Sequence, residues 1–162
     1  SAASDVYKRQ DLNLLDAGFW KSSYFNDTKL PTLVEALNLA QQYDAFLYLD
    51  IKGFDAELLA NALAESNADP SRMLPAITSM DRANQFRTHC PNSSWVWFGA
   101  NPENIEDDTW YAEKIAQGCQ YFELSSYEIF QDIDWFERFR DKAHENCAKL
   151  WDYTVNNEEI IY

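Results

Sequence analysis

The chain has 162 residues, 46% apolar and 15% aromatic, which is enough for one domain with a real core and too apolar for disorder over any long stretch. A formal charge of −14 argues against nucleic acid and anionic membranes as partners, since both are recognised by clustered cations; it serves solubility instead. Cys90, Cys119 and Cys147 are odd in number and follow no metal-ligand spacing, so neither a zinc site nor a disulfide framework is expected, and no apolar run approaches the length of a membrane span.

Residues Ser1 to Gln10 read as the in-frame translation of a transposase sequencing adapter, so 1–10 is set apart from the fold and the domain is expected to occupy 11–162. Pro31 to Tyr43 has proline near a helix start and Leu33, Leu37 and Ala40 at helical spacing. The apolar run Phe46 to Ile51 reads as a strand. Asp55 to Ser66 predicts a second helix with Leu58, Leu59, Ala62 and Leu63 on one face, closed by Asn67-Ala68-Asp69-Pro70. Met73 to Ser79 is a short apolar run, and Asp81 to His89 is helical up to Pro91. Ser94 to Gly99 predicts a strand, Glu106 to Gln117 a helix ended by Gly118, and Gln120 to Leu124 another strand. Asp134 to Asn146 reads as a helix and Lys149 to Val155 as the last strand. Asn156 to Tyr162 reads as the first turn of a helix cut short, so truncation is expected at both ends.

Strands alternating with helices of about a dozen residues imply parallel strands joined by right-handed crossovers. An open doubly wound sheet fits that order too, but there is no glycine-rich phosphate loop among only four glycines. Polar residues of chemical interest fall at strand ends, as in a βα-barrel. The expected fold is therefore α/β, a parallel TIM-type (β/α) barrel of which about five of the eight strand-helix units are present.

The most informative of those strand ends is Leu49-Asp50-Ile51-Lys52. Alternation puts Asp50 and Lys52 on one side of the chain. A carboxylate beside an ammonium suits a site holding a hard divalent cation, Mg²⁺ or Ca²⁺, together with a phosphate. On spacing alone an ordinary ion pair is the commoner explanation.

The surrounding motifs favour the first explanation. Leu15-Asp16-Ala17-Gly18-Phe19-Trp20, Leu30-Pro31-Thr32-Leu33-Val34-Glu35-Ala36-Leu37 and Leu49-Asp50-Ile51-Lys52, in that order, resemble motifs of the glycerophosphodiester phosphodiesterase family. Ser79-Met80-Asp81, Ala143-His144 and Tyr153-Thr154-Val155-Asn156 resemble its later segments. The resemblance implies a metal-dependent βα-barrel hydrolase of lipid metabolism that releases glycerol 3-phosphate and an alcohol from a glycerophosphodiester. It implies Asp50 as a metal ligand, where Glu is commoner in the family, and Lys52 as the catalytic lysine that offsets charge on the phosphate. The family's catalytic histidines and remaining acidic ligands match nothing here and are expected upstream, so this chain alone is expected to be inactive.

Glu123, near a strand end, is a candidate partner for Lys52, metal or substrate, with a solvated rim carboxylate equally open. Tyr153 stands where the family has Trp and is a candidate for the aromatic wall of the substrate pocket. His89 reads as a helix-end residue, and His144, on a helix far from strand ends, as structural rather than catalytic. Trp95, Trp97, Trp110, Trp135 and Phe136 read as packing residues, and Glu103 to Asp108 as a solvated helix start rather than a calcium loop. A sphingomyelinase D-like barrel, which also has an Asp-x-Lys pair, and a non-catalytic ligand-binding barrel stand as alternatives. The charge predicts no nucleic-acid partner.

Overall fold

The structure is a computed structural model that describes residues 11–12, 14–99, 104–125 and 132–153. The adapter-like residues 1–10 and the motif residues Thr154, Val155 and Asn156 lie outside the described residues, as do Glu103 and the expected final helix turn.

Five helices and five strands alternate among the described residues: α1 (Leu33–Gln42), β1 (Leu47–Leu49), α2 (Ala56–Glu65), β2 (Met73–Ile77), α3 (Met80–His89), β3 (Trp95–Phe98), α4 (Asp108–Ala116), β4 (Cys119–Ser125), α5 (Ile133–Glu145) and β5 (Lys149–Tyr153). Each helix starts on a side chain that takes up otherwise unpaired backbone N–H groups. Thr32 and Glu35 form a reciprocal capping box on α1; Asp55, Ser79, Asp107 and Asp132 cap the other four. These caps move the expected boundaries by one or two residues: Pro31 stays outside α1, and α4 starts at Asp108 instead of Glu106.

All strand pairings are parallel and the sheet order is β1-β2-β3-β4-β5, so every crossover joins immediate neighbours. The sheet curls. Tyr48 on one edge strand meets Trp151 on the other, with ring centroids 5.5 Å apart, and donates its phenolic hydrogen bond to Glu123 on β4. A flat five-stranded sheet would hold its edge strands about 19 Å apart at the usual strand spacing. The result is a parallel α/β half-barrel.

Alternation divides the strand side chains between two layers. Ile77, Trp95, Phe122 and Leu124 face the helices and join Leu37, Phe86, Tyr111, Trp135 and Phe139 in the main core. Tyr48, Phe98, Tyr121, Glu123, Trp151 and Tyr153 face the hollow side, where their contacts with one another place them. The tryptophans read as packing residues do pack: Trp95 and Trp135 are buried, and Trp97, Trp110 and Phe136 lie against the core. One face assignment is corrected. Leu58 is 64% exposed while Leu59 is buried, because the sheet contacts a narrower stripe of α2 than the four-residue pattern implies.

The Asp16 segment folds as a self-closed loop. The Asp16 carboxylate accepts backbone N–H bonds from Gly18, Phe19 and Asp27 at 2.8 to 3.0 Å, and these bonds hold its pKa below the usual carboxylate value. Gly18 is required by space, since an added Cβ would lie 2.1 Å from the Phe25 carbonyl oxygen. In this loop the Asp-Ala-Gly triplet is architecture.

Candidate functional site

Asp50 and Lys52 lie just beyond the C-terminal end of β1, so the expected strand stops earlier than its apolar run. The alternation argument holds across that boundary: Lys52 Nζ donates to both Asp50 oxygens, at 2.9 and 2.8 Å. The pair is open to solvent, with the side chains 85% and 54% exposed for Lys52 and Asp50.

Glu123 is only 7% exposed, which overturns the solvated-rim alternative. Its partner is the Tyr48 hydroxyl, while Lys52 is engaged by Asp50. Burial raises the Glu123 pKa, the Tyr48 bond pulls it back, and the nearby Asp50 charge raises it again. Tyr48 is pushed well above the ordinary phenol range, chiefly by burial and then by the Glu123 bond and charge. Gly99 fixes the neighbouring strand end: its φ of +85° turns the chain after β3, and its N–H donates to the Glu123 carbonyl at 2.9 Å.

Tyr153 ends β5 and stacks on Phe98, with centroids 5.1 Å apart and planes 27° from parallel. Its electrostatic influence reaches Tyr48, so the sheet gathers Asp50, Tyr48, Glu123 and Tyr153 on one side. Lys52 joins them through Asp50. Tyr48 is the residue that reading by motif did not assign. Its position two before Asp50 was the available signal, since i and i−2 share a face of a strand.

His89 ends α3 and His144 lies in the last turn of α5, both exposed. Helix C-termini precede the next strand, which puts them at the opposite end of the sheet from Asp50. Among the described residues no group of three or more His, Cys, Asp or Glu side chains gathers as a metal centre would need. Asp50 and Glu123 alone do not complete one: the first accepts from Lys52 at both oxygens and the second accepts from the Tyr48 phenol. Among the described residues no helix is long and apolar enough to cross a membrane. No family model matches this chain, and no curated protein matches it.

Proposed function

We propose that the chain is part of a TIM-type barrel hydrolase of the glycerophosphodiester phosphodiesterase kind, acting on a small-molecule glycerophosphodiester. The observation that carries this reading is the Asp50–Lys52 pair, solvent-facing beyond the end of a parallel strand and beside the hollow side of a curled sheet. Lys52 would exchange one carboxylate contact for a phosphoryl oxygen, giving a charge-assisted hydrogen bond that strengthens as negative charge grows on the phosphate. Tyr153 and Phe98 would form the apolar wall against the substrate, and Glu123 would accept a hydrogen bond from a substrate hydroxyl. Asp50 is proposed as one ligand of Mg²⁺ or Ca²⁺, with the other ligands and the acid-base groups outside the described residues.

The test is hydrolysis of glycerophosphocholine by a longer reading frame containing this chain. Asp50→Asn and Lys52→Ala are each expected to lower kcat/KM at least about 100-fold, equivalent to roughly 2.7 kcal/mol of transition-state stabilisation. Activity that survived both changes would return the pair to a surface salt bridge. Metal-dependent turnover by the 162-residue chain itself would overturn the placement of the missing ligands elsewhere.

A non-catalytic, ligand-binding barrel is the second reading. It is favoured by the internal pairing of both carboxylates, Asp50 with Lys52 and Glu123 with Tyr48. Glycerol 3-phosphate binding without turnover by the longer protein would select it.

A further inference from the structure

The Asp16 loop presents four aromatic side chains to solvent: Phe19 is 67% exposed, Trp20 73%, Tyr24 94% and Phe25 51%. Its ends are tied by the Ala17 N–H, which donates to the Thr28 carbonyl oxygen at 2.8 Å, so the chain between them forms a closed lobe. Polar groups beside the rings are already bonded within that lobe. The Phe19 N–H donates to Asp16, the Tyr24 N–H to the Ser22 hydroxyl and the Phe25 N–H to the Ser22 carbonyl, while the Trp20 indole donates to the Ala17 carbonyl at 2.9 Å. Charge is balanced as well: 16–29 holds Asp16, Lys21, Asp27 and Lys29, whereas the whole chain stands at −14.

We propose that this lobe is an interfacial anchor that seats the domain on a zwitterionic lipid surface. Polar groups enter a lipid boundary at low cost only when they are already bonded, and an indole whose N–H is taken can go in ring first. Trp, Tyr and Phe with lysine beside them suit that depth, rings at the acyl boundary and ammonium groups among the phosphates. Lys21, with its Nζ 5.9 Å from the Trp20 ring centroid, and Lys29 are both exposed and fill the second place. The Asp16 carboxylate is turned inward onto Gly18, Phe19 and Asp27 N–H groups, so it does not oppose the phosphates from the lobe's face. A neutral lobe on an acidic chain fits a neutral surface, since an anionic one repels the rest of the molecule. Helix starts lie at the end of the parallel sheet where β1 delivers Asp50 and Lys52, and the lobe leads directly into α1, so the anchor stands at the candidate-site end. It is independent of the hydrolase reading.

The test is flotation of the 162-residue chain with phosphatidylcholine vesicles, where the wild type is expected to partition into the lipid fraction at low and high salt alike. Phe19→Ser with Trp20→Ser is expected to lower that partition at least about 10-fold, with the circular dichroism spectrum unchanged. Leu39→Glu with Phe46→Glu, on the groove between α1 and β1, should float as the wild type does. Lipids brominated along the acyl chain should quench part of the wild-type tryptophan emission, and Trp20→Phe should lose that quenching while still floating. A wild type that stays in the aqueous fraction, binding that appears only with phosphatidylserine, a double serine variant that floats undiminished, or a groove variant that fails to float would overturn the anchor. A double serine variant whose only change is lost self-association would overturn it too, assigning the lobe to a second copy of the chain. If that variant does not fold, quenching decides: none in the wild type, or quenching that persists in Trp20→Phe, rules the anchor out.

Discussion

Glu123 is a buried carboxylate whose charge is opposed by burial and by Asp50 and partly compensated by the Tyr48 hydroxyl. Its folded pKa lies above the unfolded value of 4.5, so the stability it contributes is present below 4.5 and lost as pH rises through the folded pKa. Glu123→Gln keeps an acceptor for Tyr48 and removes that loss. The variant should therefore gain on the wild type in urea melts at pH 7 and lose its advantage near pH 4. Tyr48→Phe does the reverse, taking the donor from a buried acceptor at a cost of about 1–3 kcal/mol in the same melts at pH 7. A Tyr48→Phe protein as stable as wild type would mean that the carboxylate finds water instead.

The helices depend on their caps, and two sites isolate that dependence. Thr32→Ala removes the N-cap of α1 and its half of the capping box, and is expected to cost about 1 kcal/mol by urea denaturation. Gly118 sits between α4 and β4 with φ at +93°, and an added Cβ would come within 3.3 Å of Arg87 Nη1. Gly118→Ala should cost about 1–2 kcal/mol, chiefly from the backbone conformation, and a neutral result would show that the turn can rearrange. Elements of this kind were legible in the sequence because each is set by neighbours: apolar runs for Met73–Ile77 and Trp95–Phe98, and Gly118 as a stop. The Asp50–Lys52 contact was legible for the same reason, its partners being two positions apart. The Tyr48–Glu123 bond was not, since its partners are 75 residues apart and only the curl of the sheet joins them. Leu58 misled because helical periodicity gives the direction of a face and not its width.

At the scale of the molecule, β1 and β5 are sheet edges among the described residues, and large apolar side chains are exposed beside β1. Leu39, Tyr43 and Phe46 are exposed around a groove of about 310 Å³ between α1 and β1, and Phe19, Trp20, Tyr24 and Phe25 are exposed on the Asp16 loop. The purified chain is expected to self-associate as concentration rises and to bind a hydrophobic dye, measured by sedimentation and fluorescence. Leu39→Glu with Phe46→Glu should reduce both. A monomer at high concentration with no dye binding would show that this surface is not adhesive.

The contacts of Tyr48 also bear on how the molecule comes apart. With strands in the order β1-β2-β3-β4-β5, most sheet contacts join successive units, as in a linear array whose segments can melt from either end. Tyr48 breaks that linearity by bonding to β4 and touching Trp151 on β5. These long ties link the fate of the first strand to that of the last. They add, among the described residues, side-chain contacts that span the sheet from its first strand to its last two.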